Sequence, residues 1–186
     1  AFIDRRRLGD AIAIFDNWDL RTAPSQQLPS ISRHYQAFRT LLPYCWEALD
    51  LSEYDLVLSS SGQYLSKSVL TCSETLHVSY CHTPPRDLWD FPQTVRDRPW
   101  YQRWSETHLR QYDFYTAQRV DRFVTNSEVA ARRIRKCYRR SAAVIPPPVK
   151  IQGSGEAGND YYLYVGQLTQ SQQIELAVAA CNQLDR

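Results

Sequence analysis

From Ser32 to Leu49 the apolar residues Tyr35, Phe38, Leu41, Leu42 and Trp46 recur at helical intervals, with Pro43 as an interruption or a restart. The pattern then changes. In "YDLVLSSSG" the run Leu56-Val57-Leu58 is short and ends in a Ser/Gly cluster, which predicts a buried strand. "SKSVLTC" suits a helix, and "TLHVSYC", Thr75 to Cys81, is rich in β-formers. Prolines 84, 85, 92 and 99 predict an irregular excursion after it. From Trp100 to Val120 the aromatics Tyr101, Trp104, Tyr112 and Tyr115 recur at steps of three and four or their multiples, the mark of a long helix. "RFVTNS" reads as a strand, "SEVAARRIRKCYRR" as a helix capped by Ser127, and "AAVIPPPV" as a strand that runs into three prolines. Upstream, "AIAIFDNWDL" is strand-like or shortly helical, and "RTAPSQQLPS" is loop.

Strand and helix alternate, and the strands lack a clean two-residue alternation. That predicts an α/β, Rossmann-like domain over residues 1–146, a parallel sheet with helices on both faces. Residues 147–160, the end of the triproline and the polar "QGSGEAGND", read as linker. Residues 161–186 supply one strand, "YYLYVGQL", and one amphipathic helix, "SQQIELAVAACNQL", the start of a second unit. The sequence contains no Met, which is read as a start inside a longer product.

Hydrophobic residues make up 43%, enough for a core, and no apolar run reaches the length of a membrane span. The five cysteines, Cys45, Cys72, Cys81, Cys137 and Cys181, show no metal spacing and are read as reduced thiols of a cytosolic protein. A net charge of +2 gives no broad footprint for nucleic acid. Among the 22 basic residues only Lys67, Lys136 and Lys150 are lysines, so arginine forks dominate.

Ligands of parallel sheets sit beyond the carboxyl ends of the strands. Here the predicted strands finish on Ser59-Ser60-Ser61-Gly62, on His82-Thr83 and on Thr125-Asn126-Ser127. Hydroxyls, an amide and an imidazole suit a polyhydroxylated ligand better than nucleophilic catalysis, and no Gly-x-Ser-x-Gly elbow is present. Plainer roles compete at the same positions: Ser127 as a helix cap, His82 as a structural histidine. Trp89, Phe91, Trp100, Tyr101 and Trp104 cluster after His82, and Arg132 to Arg140 form a basic helical run that would suit an anionic membrane. Core packing and a solvated charged face are the rival readings.

The collinear series "YDLVLSSSG", "LHVSYCHTPPRDLWD", "AQRVDRFVTNSEVAARRIRKCY", "AAVIPPPV", "YYLYVGQL" and "QQIELAVAA" resembles the large family of retaining GT-B glycosyltransferases often called family 4. It is most similar to the bacterial mannosyl- and rhamnosyltransferase-like members, over Leu28 to Leu184. The resemblance implies an acceptor-side domain that lacks its usual first strand and glycine-rich loop, and a truncated donor-side domain. It implies transfer of a hexosyl unit, with retention and without a metal or cofactor, from a GDP- or UDP/TDP-linked sugar. The acceptor would be a polysaccharide or a lipid-linked glycan. The place of work would be the cytoplasm, or the inner face of the plasma membrane as a peripheral protein. His82 falls where the family has a catalytic histidine beside the transferred sugar, with Ser60, Ser61, Gly62, Thr83, Asn126 and Ser127 as acceptor- or sugar-binding residues. Gly166, Gln167 and Gln172 face the donor diphosphate. Gln167 stands where an Arg is expected and Gln172 where a Lys is expected. An uncharged amide donates a weaker hydrogen bond to phosphate than a cation does. The second expectation is therefore a non-catalytic glycosyltransferase-like binding module that has lost its diphosphate site.

Overall fold

The computed structural model describes residues 13, 15, 17–22, 38–90, 98–149, 162–166 and 173–184. The chain divides into two compact units, Ala1–Pro147 and Pro148–Arg186.

In the first unit helix α1, Leu42–Glu47, carries Pro43 in its first turn. A proline there costs no hydrogen bond, because the first helical N–H groups have no partner in any case. Pro43 is thus a restart; residues 32–37 of the expected helix lie outside the described residues, as does nearly all of 1–30. Strand β1, Leu56–Ser61, follows. The helix expected at "SKSVLTC" is only a 3₁₀ turn, Ser66–Ser68, and the backbone is already extended at Val69. Seven residues cannot repay the cost of helix nucleation unless packing holds them. Strand β2, Leu76–Cys81, leads through Pro84-Pro85 into a four-residue helix α2, Arg86–Trp89. The excursion expected there is therefore partly helical. Helix α3, Trp100–Arg119, strand β3, Arg122–Thr125, helix α4, Glu128–Tyr138, and strand β4, Ala142–Val144, complete the unit.

All strand pairs are parallel and their spatial order is β1-β2-β3-β4. With strand order following chain order, right-handed crossovers bring every intervening helix to the same face. The packing agrees: Cys81 and Phe123 of the sheet meet Ala117 and Val120 from the end of α3 and Ile134 and Tyr138 of α4. A second cluster joins Leu42, Tyr64, Leu65, Leu88 and Leu109. The register places Leu56, Leu58 and Leu76 on the other face, where all three are exposed, Leu58 at 68%. The sequence expected helices on both faces; the described helices of this unit cover one.

The core beneath the sheet is unusually polar. Ser59, His77, Ser79 and Thr125 are buried on the strands, and Lys67, Glu106, Asp113 and Thr116 are buried on the elements above them. That explains why α3 lacks a clean apolar stripe. Its inward side mixes Leu109 and Ala117 with Glu106, Asp113 and Thr116.

In the second unit helix α5 spans Ile174–Asn182, as its sequence predicted. Tyr162–Val165, the described part of the expected buried strand, are assigned to no strand and are exposed. No helix among the described residues is long and apolar enough to cross a membrane.

Candidate functional site

Because the strands are parallel and in register, Ser61 lies opposite Cys81, and Thr125 reaches the same level, its Oγ1 donating to the Cys81 carbonyl at 2.7 Å. The three polar strand ends therefore share one edge. His82 follows β2 directly. Its backbone N–H donates to the Ser61 carbonyl at 3.1 Å, and its Nε2 lies 3.2 Å from Ser60 Oγ. The Tyr80 ring stands edge-on to the imidazole at 5.3 Å between centroids, and its hydroxyl donates to the Ile145 carbonyl at 2.8 Å. His82 remains exposed, fixed by neighbours yet open to a ligand.

The other predicted residues divide by what already occupies them. Gly62 packs beside His82 and Thr83, and a Cβ there would meet the His82 Cβ at 3.7 Å, an ordinary contact. Glycine is therefore not a steric requirement at 62. Ser61 closes a local turn, its Oγ accepting from the Gln63 N–H at 2.7 Å. Thr83 Oγ1 accepts from Arg133 Nε at 2.8 Å. Ser127 Oγ accepts from the Ala130 N–H at 3.3 Å and donates to Asn126 Oδ1 at 2.9 Å, so Ser127 is the N-cap of α4. In the second unit Gly166 sits against Tyr164, whose hydroxyl would be 2.6 Å from an added Cβ, so a side chain there would displace that ring. Gln167 and Gln172 lie outside the described residues.

Sequence reasoning missed the groups that hold this edge from behind. Lys67 and Asp113, both fully buried, form an ion pair. Asp113 Oδ2 also accepts from Trp89 Nε1 at 2.7 Å and from the Tyr138 hydroxyl at 2.9 Å. The Lys67 ammonium lies over the Tyr138 ring, 5.1 Å from its centroid. Burial, and then the Asp113 carboxylate, hold the Tyr138 phenol neutral well above its ordinary range. Burial likewise pushes the Cys81 thiol up to about 11, leaving it protonated and inert as a nucleophile. No sequence signal marks such a knot, since Lys67 and Asp113 are separated by 46 positions and each reads as a surface residue. All five cysteines are free.

The basic run is only partly a free surface. Arg140 spans the carbonyls of Gln118, Val120 and Asp121 at the end of α3, the nearest at 2.7 Å. A cation there satisfies the last unpaired carbonyls of the helix. Arg133 is turned toward residues 83–90. Arg132, Arg135, Lys136 and Arg139 remain exposed. Trp100, Tyr101 and Trp104 of the aromatic cluster are exposed as well, Trp100 at 78%, whereas Trp89 is bound into the core. On the outer side of residues 86–90 a cavity of about 710 Å³ is lined by Arg39, Asp87, Arg98, Tyr101 and Glu106 among others. Its charges pair internally, Arg39 with Asp87 and Arg98 with Glu106.

His77 shows the opposite environment from His82. It is fully buried, with Nε2 at 3.0 Å from Ser59 Oγ and Nδ1 without a partner. Burial lowers its pKa below 6.5, against a smaller opposing pull from Asp121. The unfolded chain therefore binds this proton before the folded one does. His77 contributes stability that is fully present above about pH 6.5 and is lost as pH falls through the folded pKa. Denaturation midpoints taken at pH 7.5 and 5.5 should fall on acidification, and His77→Gln, which keeps a partner for Ser59, should flatten that fall. An identical slope in the variant would show that other groups carry it.

A parallel α/β sheet with hydroxyls, an amide and a fixed imidazole at its carboxyl edge is a Rossmann-like domain. Residues 7–152 match the sequence profile of Glycosyltransferase Family 4, and the chain belongs to that family. A domain of this family serves a sugar donor and an acceptor. Neither the curated proteins nor the solved structures compared with it contain a match. Among the described residues no three His, Cys, Asp or Glu side chains are grouped to hold a metal ion.

Proposed function

We propose that this chain supplies the acceptor-side domain, and the beginning of the donor-side domain, of a retaining hexosyltransferase. It would move a mannose- or rhamnose-like unit from a GDP- or UDP/TDP-linked sugar to a polysaccharide or lipid-linked acceptor. The observation that carries the reading is His82: an exposed imidazole at the carboxyl edge, held by Ser60 and Tyr80. A side chain so oriented can accept from, or donate to, a sugar hydroxyl without first reorganising, which is what electrostatic preorganisation requires. Asn126 and the Ser60 hydroxyl add polar groups on the same rim, and Ser127 shapes it by starting α4. The polar cavity lined by Asp87, in the helix that follows His82, is a candidate recess for an acceptor.

The test uses the full-length protein with a panel of GDP-, UDP- and TDP-linked hexoses, scored by release of nucleoside diphosphate. His82→Ala should lower turnover by about 10²–10³, the usual loss when one preorganised hydrogen-bonding group is removed. Equal turnover in the variant would sink the role of His82. The exposed cations of α4 and the exposed aromatics of α3 support peripheral attachment to anionic lipid on the cytoplasmic side. Flotation of the same preparation with phosphatidylglycerol vesicles should be salt-sensitive; none floating at low salt would exclude it.

A second reading is favoured by one feature, the uncharged Gln167 and Gln172 in the loop where cations are expected. On that reading the domain is a glycan-binding or interaction module without transfer activity. Calorimetry against GDP, UDP and TDP separates the two, since a pure module binds none of them.

A further inference from the structure

His82 is followed at once by Thr83-Pro84-Pro85, and this sequence poses a physical problem. Two successive prolines remove two backbone N–H donors, so after the Thr83 backbone contact to Cys81 the chain leaving the histidine has fewer backbone bonds with which to hold itself in place. Its middle is pinned from elsewhere: Arg110 Nη1 donates to the Leu88 carbonyl at 3.1 Å, and Trp89 Nε1 to Asp113 at 2.7 Å. Neither contact touches the residues next to His82. The Arg133 side chain does. Arg133, on the edge of α4 beside the buried Ile134, uses three nitrogens on three residues of this segment. Nε donates to Thr83 Oγ1 at 2.8 Å, Nη2 to the Pro84 carbonyl at 3.3 Å, and Nη1 pairs with the Asp90 carboxylate. Its side chain is 22% exposed, and Asp90 balances its charge.

We propose that Arg133 is the positioning residue of His82, a clamp that joins both ends of the 83–90 segment by donating to acceptors on each. The catalytic consequence rests on the reading of His82 as sugar-facing; the clamp itself does not. A planar fork is needed for this task. Lysine at 133 could still pair with Asp90, but its single ammonium cannot meet Thr83 and Pro84 in the same geometry. Arg133→Lys is therefore not a conservative change here, and Thr83→Val removes one clamp contact while leaving the cation in place.

Two readouts test the clamp in the full-length protein. The first needs no activity: with [15N]histidine labelling, the four histidines are resolved and His82 is identified by its loss in His82→Ala. Arg133→Lys and Thr83→Val should shift the His82 ring resonances, while the His77 and His108 signals and the unfolding midpoint stay put. Unmoved His82 signals in both folded variants would overturn the proposal, and so would equal shifts at His77 and His108, which mark a general loss of structure. If Arg133→Lys fails to fold, Thr83→Val decides alone. The second readout is kinetic. With whichever nucleotide sugar the wild type turns over, Arg133→Lys should lower kcat about 10-fold, and at most ~10²-fold, with KM little changed. In a His82→Ala background the same substitution should have no further effect; an undiminished loss there would also overturn the clamp. A wild type that turns over no sugar nucleotide would defeat the transferase reading while the resonance shifts still decide the positioning.

Discussion

Lys67→Met will lower the unfolding free energy by about 3–5 kcal/mol, because it strands the Asp113 carboxylate in a place water does not reach. Asp113→Asn will cost a comparable amount by stranding the ammonium instead. The informative variant is the double one. Lys67→Met with Asp113→Asn removes both charges, yet the asparagine oxygen still accepts from Trp89 or Tyr138. Its loss should be well below the sum of the two single losses, a coupling of the kind a double-mutant cycle isolates for residues in contact. Chemical denaturation of the three variants measures it. Strictly additive losses would mean that the ion pair is not the organising element of this core. The network also ties the site to the fold, since Trp89 sits in the segment that follows His82. The single variants should therefore loosen residues 86–90, visible as faster amide exchange there.

On the transferase reading, placing cations at Gln167 and Gln172 gives the second large expected effect. Gln167→Arg with Gln172→Lys should raise turnover of a nucleotide sugar by ~10²–10³ for each cation that reaches the diphosphate, through stabilisation of the charge that develops on the leaving group. Charged donors also bind phosphate about twice as strongly as neutral ones, so the affinity for nucleoside diphosphate should rise in parallel. Single-turnover rates and calorimetry on the full-length protein read the two effects separately. A gain in affinity without a gain in rate would place the cations at the diphosphate but leave transfer limited elsewhere. No gain in either would contradict the assignment of these two positions and leave the binding-module reading in possession.

Much of the architecture was legible in the chain. Short apolar runs ended by Ser, Gly or Pro located β1 to β4, and aromatic spacing gave α3 to within a residue. Ser127 was recognisable as a cap because a side-chain oxygen at that point has an obvious partner, the Ala130 N–H. These are local matters, decided by period, propensity and capping within a few residues. Failures came where a neighbour distant in sequence decides. "SKSVLTC" reads as a helix, yet only the 3₁₀ turn Ser66–Ser68 forms. "YYLYVGQL" has a strand composition, yet its described residues Tyr162–Val165 are assigned to no strand.

The candidate site divides along the same line. The sequence by itself determined that polar residues end successive strands and that a histidine stands before two prolines. It could not determine what each group is already bonded to. Only the tertiary structure shows that Ser61 and Ser127 are used locally, that His82 is held by Ser60 and Tyr80, and that Arg133 leaves its basic run to grip the segment beyond His82. The reason is physical: secondary structure follows from interactions a few residues long, whereas a hydrogen bond between residues 50 positions apart in sequence exists only once the sheet has brought α4 against β2.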